Sequence, residues 1–175
     1  DGFVSRGLGD VYKRQDLKGK NILIVGDILH SRVALSNLYL LNLLGANIKI
    51  SCPLSLVPKD IEKLNVSVEP DIHKALRWCD AVNVLRVQRE RMIKSYFPDN
   101  REYSMLFGLD ENKISSIKKD ILILHPGPVN RGVEITSGLV ESNNSIILEQ
   151  VENGVAIRMA IMYLLASKLN VSINE

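Results

Sequence analysis

The sequence has few cysteines, no long hydrophobic run and no large excess of one charge, and each shortage excludes a class of protein. Its two cysteines, Cys52 and Cys79, lack the close spacing and neighbouring histidines of a zinc site, so we expect neither a disulfide framework nor a metal. The 22 basic and 20 acidic residues leave a net charge of +2, too small to gather nucleic acid or an anionic membrane. The longest uncharged stretch, Val33 to Ile48, contains serine and asparagine and falls short of the ~20 apolar residues that span a bilayer. With 46% hydrophobic residues, the chain is expected to form a globular domain that has neither nucleic acid nor a membrane as a partner.

The first fifteen residues differ from the rest of the chain. Residues 1–15 include three glycines, show neither helical nor strand periodicity and end in the run Lys13-Arg14-Gln15. From Ser5 onward they resemble a translated transposon-type sequencing adapter, which predicts a non-native or disordered leader and a natural protein that extended further upstream. A mobile native leader and a targeting peptide are the alternatives, although the apolar stretch of a targeting peptide is missing. We therefore expect residues 16–175 to form the folded domain.

Short apolar runs and helical patterns alternate along this folded part. Residues 21–26 form an apolar run that ends at a glycine, and the apolar residues of 33–44 then recur at helical spacing before Gly45. Further strands are expected at 47–52, 67–69, 81–87 and 120–124, further helices at 58–64, 71–78 and 111–117, and a long polar loop at 88–101. A final helix is expected to carry Ile147, Val151, Val155, Met159 and Met162 on one face. The alternation predicts the α/β class, with a Rossmann-like doubly wound parallel sheet and helices on both faces.

Two arginines lie directly beyond predicted strands, where the ligands of open parallel sheets bind. Arg32 follows the first strand near the start of a helix, where a solvated or ion-paired arginine is as common as one that binds a ligand. Arg86 follows the buried run Ala81 to Leu85, where a guanidinium must be paired or must bind an anion. Because a guanidinium matches a carboxylate through two parallel hydrogen bonds, two such arginines favour a dicarboxylate ligand.

The segment His125-Pro126-Gly127-Pro128 follows the last predicted strand. A single histidine at a strand end is more often a hydrogen-bonded structural residue than a base, and no serine or cysteine nucleophile motif accompanies it. Because proline interrupts a strand ladder, the backbone carbonyls of this segment can accept hydrogen bonds from an N–H-rich ligand. The first turn carries Gly26-Asp27 where a GxGxxG fingerprint would stand, which argues against a nicotinamide cofactor.

The chain carries three ordered motifs, VGDILHSRVA at residues 25–34, LRVQRER at 85–91 and HPGPVNRGVEI at 125–135, and two shorter ones follow at 148–151 and 153–160. Together they resemble the catalytic chain of the aspartate carbamoyltransferase family. That family has two α/β domains, and the resemblance covers only the C-terminal domain, which binds aspartate. It implies that residues 16–175 are this domain and that their last helix packs on the missing N-terminal domain.

The resemblance implies that the carbamoyl group of carbamoyl phosphate is transferred to the amine of L-aspartate, for de novo pyrimidine biosynthesis and without a cofactor. By motif, aspartate would be bound by Arg32, Arg86 and Gln88, and the carbamoyl phosphate side would be lined by Pro126, Gly127 and Pro128. No catalytic set is complete in this chain, because the family's phosphate-binding run belongs to the missing half, so the chain alone is expected to be inactive. The family further implies a cytoplasmic homotrimer. The alternatives are ornithine carbamoyltransferase, which typically has Cys-Leu-Pro after its histidine, and a noncatalytic binding module of the same descent.

Overall fold

The computed structural model describes residues 17–88, 99–117 and 120–171, with side chains as far as residue 167. Within these ranges the chain forms five strands, six α-helices and two short 3-10 turns. The expected leader at residues 1–15 and most of the predicted loop at 88–101 lie outside the described residues.

The strands are β1 (Asn21–Val25), β2 (Asn47–Ser51), β3 (Val66–Val68), β4 (Ala81–Val84) and β5 (Leu122–Leu124). They form one parallel sheet in the order β3-β2-β1-β4-β5. In β1 the side chains of Leu23, Ile24 and Val25 are all fully buried, although successive residues of a strand point to opposite faces. Both faces of the sheet are therefore covered, which confirms the doubly wound α/β fold expected from the sequence.

The helices are α1 (Arg32–Leu43), α2 (Ile72–Trp78), α3 (Asn100–Phe107), α4 (Glu111–Ser115), α5 (Ser137–Val140) and α6 (Ile147–Val171). The 3-10 turns, Leu54–Leu56 and Ile61–Leu64, lie between β2 and β3. The connection through α1 leads from β1 to β2, whereas the connection through α2 leads from β3 back past β1 to β4. Because such crossovers are right-handed, these opposite directions place α1 and α2 on opposite faces of the sheet.

Side-chain caps fix where four of the helices begin. At α1 the hydroxyl of Ser31 accepts a hydrogen bond from the backbone N–H three residues on, at 3.1 Å. The carboxylates of Asp71, Asp99 and Asp110 do the same for α2, α3 and α4. Each cap provides a partner for an N–H group that the first helical turn leaves without one. Beyond the end of α1, Gly45 takes a φ of +73°, which lets the chain turn back towards β2.

Two helices were not expected from the sequence. The loop predicted at 88–101 is wrong at its end, because α3 begins at Asn100. This helix buries only Tyr103 and Phe107, which are too few apolar residues to give a periodic stripe. The four-residue helix α5 buries only Leu139 and is too short for any periodicity to show.

Two other elements are shorter than expected. The helix predicted at 58–64 is only the 3-10 turn Ile61–Leu64, which is flanked by Asp60 and Asn65 in the left-handed region, with φ of 62° and 52°. A left-handed residue at each end prevents the turn from extending into an α-helix. The strand predicted at 81–87 ends at Val84, so the residues that follow it are available for a site.

A buried lysine fixes the end of α3. Lys113, which is only 8% exposed, donates from Nζ to the carbonyls of Ser104 at 3.2 Å, Met105 at 3.0 Å and Gly108 at 2.6 Å. The last carbonyls of a helix have no partner within the helix, and the ammonium group supplies one. Lys113 therefore anchors α3 to the rest of the domain.

The last helix, α6, is apolar on more than one side. Among its described side chains only Ile147 is buried, and the rest of the expected apolar face is exposed. Large apolar side chains are also exposed outside that face, at Ile157, Ile161, Leu164 and Leu165. Among the residues that the structure describes, no helix is long and apolar enough to cross a membrane.

We expect the chain on its own to self-associate and to bind hydrophobic dyes through α6, because exposed apolar patches of several hundred Å² promote association (about 400 Å² is already large). Replacing Val155 and Met159 with glutamine should weaken both properties, whereas Asn153→Gln, on the same helix, should leave them unchanged. Light scattering and dye fluorescence measure the two effects. A monodisperse monomer that binds no dye would contradict this expectation.

Candidate functional site

The register of the sheet brings three chain segments to one edge. Val25 of β1 lies beside Val84 of β4, and Asn83 lies beside Leu124 of β5, so the segments that follow these strands leave the sheet side by side. The strand order reverses between β1 and β4, since the chain continues from β1 outward to β2 and returns to β4 on the other side. In open α/β sheets the crevice at such a reversal is where ligands bind.

Gly26 allows the first two of these segments to approach each other closely. It has a φ of +125°, and a Cβ atom added to it would lie 2.7 Å from the carbonyl oxygen of Leu85. Only glycine combines this backbone conformation with so small a separation from a neighbouring backbone. The turn after β1 is thus packed directly against the segment that carries Arg86.

Asp27 joins the same two segments by hydrogen bonds. Its fully buried carboxylate accepts from the backbone N–H of His30 at 3.1 Å and lies 2.9 Å from Nδ1 of the same residue. Its other oxygen accepts from the backbone N–H of Gln88 at 3.4 Å. A buried carboxylate needs such partners, and here they fix the backbone of Gln88 relative to the first turn.

The residues expected to bind aspartate are placed at this edge. Arg32 is the first residue of α1 and is exposed, while Arg86 and Gln88 are half-buried on the segment that follows β4. The two arginines therefore leave the sheet on opposite sides of the β1–β4 crevice. Two guanidinium groups on adjacent loops can bind the two carboxylates of one small ligand.

The segment expected to line the carbamoyl side follows β5, next to β4. Pro126 and Gly127 are half-buried and Pro128 is exposed, and the bond between Gly127 and Pro128 is cis. Within the described part of the chain, no group donates a hydrogen bond to the carbonyls of these three residues. Those carbonyls can therefore accept hydrogen bonds from the N–H groups of a ligand.

His125 has the structural role that the sequence favoured. It is fully buried; its backbone N–H donates to Oε1 of Gln150 in α6 at 2.9 Å, and its Nδ1 accepts from the backbone N–H of Gly127 at 2.9 Å. Its Nε2 lies 3.4 Å from Oε1 of Glu134, which is also fully buried. A histidine enclosed in this way orients the loop and is not exposed to a substrate in the crevice.

The polar groups beneath the site lie in a dry environment. The pKa of the Cys52 thiol is raised from 9.0 to about 12, mainly by burial and to a smaller extent by the negative charge of Asp27. Burial also raises the pKa of Tyr103, to which the charges of Glu134 and Asp27 contribute. Among the described residues, no group of three His, Cys, Asp or Glu side chains could hold a metal ion.

Cys52 is therefore expected to resist alkylation in the folded chain. A rise in pKa from 9.0 to about 12 lowers the thiolate fraction at pH 8 about a thousandfold, and the thiolate is the reactive form. Mass spectrometry after iodoacetamide treatment should find Cys52 unmodified in buffer and modified in denaturant. The same shift stabilises the folded state below pH 9, and this contribution is lost as the pH rises from about 9 to 12. Alkylation of Cys52 at the rate of a free thiol would contradict the burial.

Sequence reasoning assigned no role to Asp27, Glu134 or Gln150, which hold the loops of this site in place. Two of them are fully buried carboxylates on polar segments, and no periodicity marks such residues. One signal was available for Asp27: an acidic residue directly after a buried strand must find hydrogen-bond donors nearby. Gln150 finds its partner 25 residues away, and Glu134 accepts from Asn130 within a loop that has no periodic pattern.

An open parallel sheet with an arginine on each of the two loops at its switch point, beside a loop whose carbonyls face no donor among the described residues, is typical of a ligand-binding α/β domain. A family model described as "Aspartate/ornithine carbamoyltransferase, Asp/Orn binding domain" matches residues 18–165. The chain belongs to this carbamoyltransferase family.

Individual relatives agree with the family match. The aspartate carbamoyltransferase catalytic subunit of Flavobacterium psychrophilum is 61% identical over 157 residues, which are 90% of this chain and 51% of the relative. That of Flavobacterium johnsoniae is 58% identical over the same shares. The fold is also that of ornithine carbamoyltransferase from Burkholderia thailandensis, with a TM-score of 0.67 and 21% identity over 88% of this chain and 50% of that one. The chain thus spans about half the length of the curated relatives it matches.

Proposed function

We propose that this chain is the aspartate-binding half of an aspartate carbamoyltransferase. The observation that carries the proposal is the position of Arg32 and Arg86 on the two loops of the β1–β4 crevice, next to the carbonyls of residues 126–128. The two arginines supply guanidinium groups for a dicarboxylate, and the carbonyls of residues 126–128 supply acceptors for the N–H groups of a carbamoyl group. The names of the Flavobacterium relatives support the same activity.

Each predicted site residue has one role in this proposal. Arg32 and Arg86 bind the aspartate carboxylates, and Gln88, whose backbone Asp27 holds, orients the bound aspartate. The N–H groups of the carbamoyl group donate hydrogen bonds to the carbonyls of the Pro126-Gly127-Pro128 segment. The reaction then needs no residue of this chain as a nucleophile, because the aspartate amine is the nucleophile.

The chemistry is a single group transfer. The aspartate nitrogen forms a bond to the carbonyl carbon of carbamoyl phosphate, and the bond from that carbon to the phosphate oxygen breaks. The departing phosphate takes the electron pair of that bond and accepts the proton that the amine loses. The chain contributes by holding the amine beside the carbonyl carbon. The reaction between two separate molecules then becomes an effectively unimolecular step between positioned groups. The charge on the departing phosphate is stabilised by the missing upstream domain, which we propose as the partner of α6.

The alternatives have less support. Ornithine carries one carboxylate and a cationic side chain, so a second arginine would repel it, and the curated relatives named above are aspartate enzymes. The arginines would equally serve a noncatalytic binding module, and the names of the Flavobacterium relatives are what favour the enzyme over it. We further propose that the complete protein is a homotrimer that acts in the cytoplasm.

The chain alone is expected to be inactive and to gain activity from the missing half. The upstream half of the Flavobacterium psychrophilum relative, supplied as a separate polypeptide or joined ahead of Leu17, should give carbamoyl-aspartate from carbamoyl phosphate and aspartate. A transition state bound by half a site gains little stabilisation, so each half by itself should show no turnover. Turnover by this chain alone would show that the phosphate site is misplaced. A demonstrated complex without turnover would favour the noncatalytic module.

A further inference from the structure

Two nitrogens of His125 are hydrogen-bonded around the carbonyl loop of residues 126–128, and the third lies near a carboxylate. The backbone nitrogen donates to Gln150, Nδ1 accepts from the backbone N–H of Gly127, and Nε2 faces Glu134. Because Nδ1 accepts a hydrogen bond, it carries no proton, and the ring proton of the neutral imidazole must be on Nε2. Nε2 lies 3.4 Å from Oε1 of Glu134, which is an electrostatic contact without hydrogen-bond geometry.

Glu134 joins the two ends of the same loop. Its Oε1 accepts from the backbone N–H of Asn130 at 2.6 Å while it faces Nε2 of His125, so one oxygen lies against both the start and the end of the 125–130 segment. The backbone of Glu134 is itself anchored, because its carbonyl accepts from the N–H of Leu109 at 2.9 Å. The N–H of Thr136 donates in turn to the carbonyl of Leu109 at 3.0 Å. The carboxylate is therefore fixed to a neighbouring part of the fold and does not move with the loop.

The geometry points to His125 and Glu134 as positioning residues that set the direction of the carbonyls of Pro126, Gly127 and Pro128 towards carbamoyl phosphate. Both side chains are fully buried, so neither touches a substrate, and each acts through backbone N–H groups on either side of these carbonyls. A buried carboxylate needs hydrogen-bond donors, and the donor that Glu134 meets among the described residues is the backbone N–H of Asn130, at the end of this loop. This inference rests on the proposed function, because it names the carbamoyl side of the same site.

The test uses the chain joined to the upstream half of the Flavobacterium psychrophilum relative. Glu134→Ala should raise the KM for carbamoyl phosphate about tenfold or more, because a buried backbone donor loses its acceptor, while the KM for aspartate stays within about twofold. Glu134→Gln keeps an oxygen for Asn130 and should recover most of the loss. The matched control is Glu141→Ala, because Glu141 is an exposed carboxylate paired with Arg131 at 3.2 Å. It should change neither KM.

A spectroscopic measurement on the 175-residue chain tests the geometry without activity. Nitrogen chemical shifts of His125 should identify the tautomer with the proton on Nε2, and Glu134→Gln should shift the amide signals of both Gly127 and Asn130. A proton on Nδ1, or equal rises of both KM values in Glu134→Ala, would overturn the positioning role. If the wild-type fusion shows no turnover, the proposed function and the substrate direction of the loop both fail. If it turns over and Glu134→Ala has unchanged KM values, only the positioning role fails.

Discussion

Arg86→Ala is expected to lower kcat/KM for aspartate about a hundredfold in the fusion with the upstream half, because it removes a bidentate, charge-assisted contact worth about 3 kcal/mol. The guanidinium is half-buried at the end of β4, where water replaces a lost carboxylate contact only poorly. Arg86→Lys should recover little of the loss, since an ammonium group does not reproduce two parallel donors. Aspartate saturation curves of the two variants measure the effect.

The matched control for Arg86 is Arg77→Ala. Arg77 is an exposed arginine in the last turn of α2, just ahead of β4 and hence at the opposite edge of the sheet. Its removal takes away the same charge from the protein without changing the crevice, so kcat/KM should stay within about twofold. Wild-type aspartate saturation in Arg86→Ala would overturn the assignment, and an equal loss in Arg77→Ala would show that net charge alone is responsible.

Gly26→Ala is expected to destabilise the domain by about 3 kcal/mol, which corresponds to a fall in melting temperature of roughly 10 °C. Two costs combine at this position. A φ of +125° is unfavourable for any residue with a Cβ atom, and that atom would lie 2.7 Å from the carbonyl oxygen of Leu85. The backbone of Leu85 cannot move away easily, because its N–H is bonded to the carbonyl of Val25 at 2.7 Å.

Gly132→Ala separates the two costs. Gly132 also has a positive φ, +80°, but a Cβ atom there would have no neighbour within 4 Å. This control should therefore lose only about 1 kcal/mol, from the backbone conformation alone. Thermal melts of the two variants make the comparison. Equal losses would show that the contact between Gly26 and Leu85 carries no additional cost.

The sequence predicted the strands and helices that carry a local periodic pattern of apolar residues. The runs that became β1, β2 and β5 and the helical spacing of α1 and α2 were recognised because burial on both faces or on one stripe leaves a periodic signal. The parallel sheet with helices on both faces followed from the alternation of strand and helix patterns, whereas the order of the strands was not predicted. Because parallel strands end at the same edge of a sheet, Arg32 and Arg86 were expected at that edge, and both lie there.

The remaining features depend on contacts between distant parts of the chain. Lys113 of α4 holds the helix α3 by donating hydrogen bonds to the carbonyls at its end. No sequence pattern within 88–101 predicts that contact. The buried carboxylate of Asp27 accepts from the backbone N–H of Gln88, far along the chain, and such a partner is visible only in the three-dimensional structure. The buried side chains that support the loops therefore depend on the tertiary structure, whereas Arg32, Arg86 and Gln88 are predicted as ligand contacts from motifs alone.

The helix α6 follows all five strands of the sheet in the chain, so the sheet can form before this helix is complete. All five strands are complete at Leu124, and among the described side chains of α6 only Ile147 enters the core. The sheet can therefore close while most of α6 has still to leave the ribosome, since domains fold as units from the N-terminal side. Any association through the exposed side chains of α6 can therefore follow the closure of the sheet and is not needed to direct it.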